Sequence, residues 1–224
     1  EEVKDLYIRE HRIFIHTAIA LATAIDARDP YTHGHTERVT QYCLAVADEL
    51  EGIPEAMAYH DFRETLHISA LLHDVGKIGC PDNILNKKAA LNKKEFDKIK
   101  EHPAVGAAIL TPIKELRNVA REVRCHQEKY DGSGYPDGLH ETDIPLVARI
   151  IAVCDAFDAM TTDRPYRQKR SAEDALREIR KMSGSQFDPI VVSAFILSFE
   201  KGNILPMSSS KRARNRKYSR AKKR

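Results

Sequence analysis

The stretch 71–77, with the sequence LLHDVGK, places a histidine and an aspartate side by side at the end of an apolar helical run. An imidazole nitrogen of His73 and a carboxylate oxygen of Asp74 can reach one divalent cation only if the backbone turns there, and the apolar run would bury and fix that turn. Gly76 permits the turn and the close approach of a ligand, while Lys77 offers a positive charge suited to a phosphate. The alternative is a buried histidine that ends a helix beside a solvated aspartate.

Helical periodicity of apolar residues runs through most of the chain, whereas the alternating pattern of strands is nearly absent. The sequence therefore predicts an all-α fold. The predicted helices cover residues 12–26, 36–50, 62–73, 92–102, 105–110, 116–128, 147–160, 171–182 and 189–199.

Several further candidate metal ligands lie at or near the boundaries of these helices. They are His35, His102, His126 and Asp155. The proline after His102 disfavours helical geometry at that histidine, so its imidazole is expected at a corner of the chain. Cys125, next to His126, is a weaker candidate for thiolate ligation. We interpret His33 as a solvated loop residue and His67 as a structural one.

Composition indicates one domain with short extensions. A chain of 224 residues with 42% hydrophobic residues can bury one core. We expect residues 1–11 to end a linker helix from a missing upstream sensor or receiver domain, and residues 12–205 to form the domain. Residues 206–224 form a basic tail that we expect to be disordered and to bind no specific nucleic acid.

The cellular compartment is predicted from cysteine usage and apolar run length. The four cysteines form no CxxC pair, which is typical of free thiols in a reducing compartment. The apolar runs are too short to cross a bilayer, and no signal-peptide pattern opens the chain. We therefore expect a cytoplasmic location for this chain.

Two further stretches indicate a phosphate-bearing ligand. Residues 131–138 are too rich in glycine and proline for a helix or strand and predict an ordered loop, where backbone amides could reach a phosphate and Tyr135 could stack on a base. Arg164 and Arg167 flank a rigid spacer and could make forked contacts to a phosphate or a guanine edge. A plain surface turn and a solvated basic loop are the alternatives.

Together, HDVGKIG at 73–79, YDGSGYP at 130–136 followed by DGL, and DRPYR at 163–167 resemble the HD-GYP family. This family is a bacterial subgroup of the HD-superfamily metal phosphohydrolases, and the resemblance runs from about Ala18 to Phe199. It implies an HD-domain helical bundle with an ordered GYP loop. It also implies hydrolysis of cyclic di-GMP to linear pGpG and on to GMP, in bacterial second-messenger signalling.

The resemblance further implies a site with two divalent metal ions, iron or manganese. One metal would be held by His35, His73, Asp74 and Asp155. Asp74 would bridge to the second, which would be held by His102, His126 and residue 127. The expected catalytic residues are Asp74 and Lys77, and Asp158 is expected to support the ligands. The expected substrate-binding residues are Lys77, Gly134, Tyr135, Pro136, Arg164 and Arg167.

The chain departs from the family pattern at two positions. Gln127 stands where the family usually has a second histidine, and a neutral amide oxygen binds such cations more weakly than imidazole does. Tyr31 stands where some members carry a glutamate for a third metal, so we expect two metals. A weakened cyclic di-GMP receptor or protein-docking module is therefore the main alternative to the enzyme, and hydrolysis of another nucleotide is the third. The resemblance leaves open docking to a diguanylate cyclase (GGDEF) domain and a homodimer.

Overall fold

The computed structural model describes residues 2–28, 34–87, 89–163 and 169–206, without the side chains of residues 2–5, 7, 8 and 11. These residues form an all-α fold without a strand, as the sequence predicts. The helices are α1 (Glu2–Asp26), α2 (His35–Leu50), α3 (Pro54–Met57), α4 (Phe62–Leu72), α5 (Asp82–Leu85), α6 (Lys93–Ile99), α7 (His102–Leu110), α8 (Arg117–Cys125), α9 (Leu146–Thr161), α10 (Ala172–Lys181) and α11 (Pro189–Glu200).

Helix α4 lies between two apolar clusters. Leu66 and Ala70 belong to the main core, which also takes residues from α2, α9, α10 and α11. Ile68 and Leu72 belong to a second cluster with residues of α1 and α8. Full burial of a leucine contributes about 1.5–3 kcal/mol, so α4 is stabilised from both sides. The residues that follow Leu72 therefore leave the core at a fixed place.

Local capping explains where several helices begin. Asn92 accepts a hydrogen bond from the Glu95 amide and forms a complete capping box with it, as predicted. Ser171 caps α10 by accepting from the Asp174 amide. Asp188 caps α11, whose first residue is Pro189. These starts need no tertiary contact, which is why they were predictable.

The chain around His102 differs from the prediction. Helix α6 already ends at Ile99, and His102 is the first residue of α7 rather than a residue bent out of a helix. Pro103 is tolerated because the first turn of a helix needs no proline N–H. The predicted loop 80–91 contains the single helical turn α5.

Helix α1 runs without interruption across the boundary predicted between residues 11 and 12. Its described side chains pack on the second cluster from Phe14 and Ile15 onwards. After α1 ends, the Arg28 guanidinium binds the carbonyl of Ile78 at 2.8 Å and the Asp82 carboxylate at 2.7 Å. Among the described residues, no helix has both the length and the apolar character needed to span a membrane.

Candidate metal centre

Six predicted ligand side chains meet where four helices begin or end beside α9. They form two groups, and within each group the ligand atoms all lie within 4.8 Å of one another. The first group is His35, His73 and Asp155, and the second group is Asp74, His102 and His126. Histidines 35 and 102 are the first residues of α2 and α7, whereas histidines 73 and 126 directly follow α4 and α8. All but Asp155 are buried.

Each of the four histidines uses Nδ1 for a hydrogen bond to a protein oxygen. Nδ1 lies 2.8 Å from the Ala70 carbonyl in His73, 2.7 Å from the Ile99 carbonyl in His102 and 2.6 Å from the Val123 carbonyl in His126. Nδ1 of His35 lies 2.8 Å from a carboxylate oxygen of Asp158. Because these oxygens only accept, Nδ1 carries the proton and Nε2 of each neutral ring keeps a free lone pair.

Groups in the described part of the chain leave the Nε2 atoms of His73, His102 and His126 unsatisfied. Nε2 of His73 is buried and has no hydrogen-bond partner among the described residues. Nε2 of His102 and Nε2 of His126 lie 3.1 Å apart. Two lone pairs at this distance repel each other unless a proton or a cation comes between them, and an unpaired buried polar atom costs about 1–3 kcal/mol. The residues present therefore fit a bound divalent cation.

The Asp74 carboxylate belongs to the second group and also faces the histidines of the first group. Oδ1 is 3.5 Å from Nε2 of His102, whereas Oδ2 is 3.5 Å from Nε2 of His73 and 3.9 Å from Nε2 of His35. Atoms bound at about 2.1 Å to one cation lie about 3 to 3.5 Å apart, so these separations are close to those of a ligand set. With one oxygen toward each group, the carboxylate is suited to bridge two cations.

Lys77 provides the nearest positive charge to this carboxylate. Its Nζ lies 2.6 Å from Oδ2 of Asp74. Burial would raise the pKa of Asp74, but Lys77 and the surrounding histidines hold that pKa well below its usual range. Asp74 is therefore an ionised, acceptor-only group at the centre of the pocket.

Burial keeps two of the histidines neutral. It lowers the pKa of His102, against the attraction of Asp74. Burial, with the neighbouring His102 and His73, holds the pKa of His126 well below its ordinary value. Neutral imidazole is the form that binds a metal, so no proton need be displaced from these Nε2 atoms.

Asp158 and Arg38 support His35 from behind. The Arg38 guanidinium makes a forked contact with Asp158 at 2.7 and 2.9 Å, and Asp158 accepts from His35. Burial would lower the pKa of His35, but the bond to Asp158 and the charges of Asp155 and Asp74 raise it above its ordinary value. Such a carboxylate fixes the tautomer and the ring orientation of a ligating histidine. Sequence analysis missed Arg38, although it lies three residues from His35 on the same helix.

The GYP loop approaches the centre through Tyr135. The Tyr135 hydroxyl donates to Oε1 of Gln127 at 3.1 Å, and the Lys100 ammonium lies 5.4 Å from the centre of the tyrosine ring. Tyr135 is joined to Pro136 by a cis peptide bond. A Cβ atom on Gly134 would lie 2.2 Å from the backbone nitrogen of Lys129, so glycine is needed there for packing of the loop on its own stem.

Glu128 organises the same loop, and sequence analysis assigned it no role. Its Oε1 accepts from the backbone amides of Asp137 at 2.7 Å and of Gly138 at 3.1 Å. The side chain is 3% exposed, so these bonds are shielded from competing water. The signals in the sequence were its match to the glutamate of the family pattern and its position shortly before the glycine-rich stretch.

One expectation about a neighbouring residue was wrong. Gly76 does not make room for a ligand, because a Cβ atom there would lie 1.9 Å from the carbonyl oxygen of His102 and 2.5 Å from the amide of Gly106 in α7. Cys125, the weaker candidate for thiolate ligation, is buried in a small apolar cluster with Ile144 and Ala148, and burial raises the pKa of its thiol to about 12. Tyr31, His33, Arg164, Arg167 and residues 207–224 lie outside the described residues, so their predicted roles stay predictions.

A family model described as HD domain matches residues 20–191. The chain belongs to the HD-domain family. The HD-GYP resemblance carried by the motifs is also confirmed. This HD-domain chain is 39% identical over 201 residues to a cyclic di-GMP phosphodiesterase of Thermotoga maritima. The alignment covers 88% of this chain and 52% of that protein.

A second relative of this HD-domain chain is a 3'3'-cGAMP-specific phosphodiesterase of Vibrio cholerae, 36% identical over 187 residues, with 84% of the chain and 39% of that protein covered. A solved structure of a cyclic GMP-AMP specific phosphodiesterase of Vibrio cholerae matches with a TM-score of 0.61 at 21% sequence identity. The matched region covers 89% of this chain and 52% of the chain in that structure. The chain thus spans about half or less of the length of these proteins. The structural likeness establishes the shared fold.

Proposed function

We propose that this HD-domain chain is a cytoplasmic, metal-dependent phosphodiesterase that hydrolyses cyclic di-GMP to pGpG, to GMP or to both. The observation that carries the proposal is the set of four histidines whose Nδ1 atoms bind protein oxygens and whose Nε2 atoms face the ionised Asp74 or one another. Related proteins named as cyclic di-GMP phosphodiesterases support the choice of substrate.

Two divalent cations, iron or manganese, would be held by these residues. His35, His73 and Asp155 would hold one, His102 and His126 the other, and Asp74 would contact both. Imidazole and carboxylate ligands suit either metal. Such a pair supplies Lewis acidity toward a phosphate and lowers the pKa of a water molecule that it binds.

Lys77 and Tyr135 would act on the substrate itself. The Lys77 side chain is only 18% exposed and lies next to Asp74, so its ammonium can neutralise a phosphate oxygen at the centre without strong competition from water. Tyr135 would form one wall for a base, together with Pro136 of the same loop. Arg164 and Arg167 remain proposed contacts to the nucleotide.

A receptor for cyclic di-GMP is the second candidate, and one contact favours it. The amide oxygen of Gln127, the group expected to complete the second metal site, already accepts a hydrogen bond from Tyr135. An amide oxygen shared with Tyr135 would bind a cation there more weakly than the usual imidazole of the family does. In this case cyclic di-GMP would bind without being hydrolysed.

The test is a chromatographic product assay on the purified chain loaded with Mn²⁺ or, without oxygen, with Fe²⁺. Cyclic di-GMP should be converted to pGpG or GMP, and Asp74→Asn should lower kcat by at least about 100-fold because it removes the central charge. Asp97→Asn, on the exposed face of α6, is the matched control and should leave turnover unchanged. Binding of cyclic di-GMP without turnover in either metal would contradict the enzyme and support the receptor.

A further inference from the structure

The side-chain amide of Gln127 lies between the GYP loop and the metal centre. Its Oε1 accepts the Tyr135 hydroxyl at 3.1 Å, and its Nε2 lies 3.5 Å from Oδ2 of Asp155. The second contact is long for a hydrogen bond, but the Asp155 carboxylate offers the amide nitrogen a charged acceptor. Both ends of the amide therefore face protein groups.

The chemistry of the neighbours determines which end of the amide faces which group. An ionised carboxylate only accepts, so the NH₂ end must face Asp155, and the carbonyl end is left for the tyrosine O–H. The reverse orientation would set the carbonyl oxygen of Gln127 against a carboxylate oxygen. Oε1 of Gln127 thus already accepts from Tyr135, and the NH₂ end, which faces Asp155, has no lone pair to offer a cation.

With this contact, the two carboxylate oxygens of Asp155 have different partners. Oδ1 lies 3.4 Å from Nε2 of His35, on the side of the first ligand group, whereas Oδ2 faces the Gln127 amide. A carboxylate held in this way presents one oxygen to a cation and keeps the other on a hydrogen-bond donor. Donors in this position orient the ligand, and their loss typically lowers metal affinity by about 10 to 100-fold.

We propose that Gln127 is a positioning residue that orients Asp155 and anchors Tyr135, and that it does not itself bind a metal ion. The proposal rests on the metal centre of the proposed function. In this proposal, Gln127 connects the GYP loop to the first ligand group through Tyr135 and Asp155. It is not a weakened ligand of the second group. Under this proposal, glutamine in place of the usual histidine at position 127 is compatible with catalytic activity.

Gln127→Leu separates the two roles because they predict losses at different ligand groups. If Gln127 orients Asp155, removal of the donor should lower Mn²⁺ affinity by about 10-fold at the site of His35, His73 and Asp155. If Gln127 is a ligand, removal of its oxygen should instead lower the affinity at the site of His102 and His126.

Tyr135→Phe gives an independent test that leaves position 127 intact. It removes the hydroxyl that occupies Oε1 of Gln127. The positioning role predicts weaker Mn²⁺ binding at the site of His35, His73 and Asp155, because the amide that orients Asp155 is no longer held by the hydroxyl. A ligand role predicts no loss at that site, because the carbonyl oxygen has a second lone pair for a cation whether or not the hydroxyl is present.

Mn²⁺ affinity is measured by titration with electron paramagnetic resonance, and anomalous diffraction from crystals grown with limiting Mn²⁺ shows which ligand group loses the ion. Neither readout needs turnover. The matched control is Gln41→Leu on the exposed face of α2, which should leave both sites unchanged. Loss of Mn²⁺ from the site of His35, His73 and Asp155 in Gln127→Leu and Tyr135→Phe supports the proposal. Loss from the site of His102 and His126 alone overturns it, whereas failure of the unmodified chain to bind Mn²⁺ overturns the proposed function.

Discussion

Glu122 is a buried carboxyl group of α8 outside the metal centre, and its side chain is 4% exposed. Burial raises its pKa to about 7, although the Tyr59 hydroxyl at 3.2 Å and the nearby Arg121 and Arg149 oppose the shift. The folded chain therefore keeps this proton at pH values where the unfolded chain has lost it. Stability from this group is present below about pH 4.5 and is lost as the pH rises to about 7.

Glu122→Gln should remove this dependence on pH, because the amide resembles the protonated acid in shape but does not titrate. Relative to the unmodified chain, the variant should gain up to about 3 kcal/mol of unfolding free energy between pH 4.5 and pH 8. Urea unfolding at both pH values measures the difference, and Glu115→Gln, at an exposed position, is the control. A difference between variant and parent that is equal at both pH values would contradict the role of Glu122.

At the scale of residues, the sequence could select the ligand types but not their hydrogen bonds. The HD pair and the other histidines stood out because their motifs resemble a known family. Sequence analysis missed the Nδ1 contacts of His73, His102 and His126, although each carbonyl lies only three residues earlier, because the sequence does not fix the side-chain rotamer at a helix boundary. The contact of Gln127 with Tyr135 was hidden for another reason, since it depends on how the GYP loop folds back.

At the scale of elements, α7 and the turn after α4 pack backbone against backbone. Gly76 and Gly106 meet at this crossing, and a Cβ on Gly76 would collide with the His102 carbonyl at 1.9 Å. Helix α7 carries His102 at its first residue, so the crossing sets the distance between that histidine and Asp74. The glycine is thus required for the assembly of the second ligand group.

Gly76→Ala should lower the unfolding free energy by about 1–3 kcal/mol or more and weaken Mn²⁺ binding, because α7 must move away. Gly52→Ala is the control, since a Cβ there would meet nothing within 4 Å, and its effect should stay within about 0.5 kcal/mol. Thermal unfolding and Mn²⁺ titration of both variants provide the comparison. A Gly76→Ala protein with unchanged stability and metal affinity would show that the crossing is not tight.

The element boundaries illustrate where local reasoning ends. Caps such as Asn92 and Asp188 are local signals, and the starts of the helices that follow them were predicted correctly. The proline after His102 was misinterpreted, because the same residue can end one helix or lie in the first turn of the next. The packing partner of Gly76 is 26 residues further along the chain at His102, beyond the reach of any local pattern.

At the scale of the whole molecule, the bundle brings together side chains from distant parts of the chain. Helix α4 is buried between two apolar clusters, and its end places His73 and Asp74 at the metal centre. Helices α2 and α7 begin at the same place, α8 ends there and α9 runs past it. Lys77 already compensates the ionised Asp74, whereas the cost of the unpaired Nε2 lone pairs in this pocket is offset when a cation binds. A metal centre is therefore the central claim about this chain.

Anomalous diffraction from crystals grown with Mn²⁺ tests this claim most directly. The account predicts two anomalous peaks, one contacting His35, His73 and Asp155 and the other contacting His102 and His126, with the Asp74 carboxylate between them. Crystals that diffract well but show no anomalous density among these side chains would contradict it.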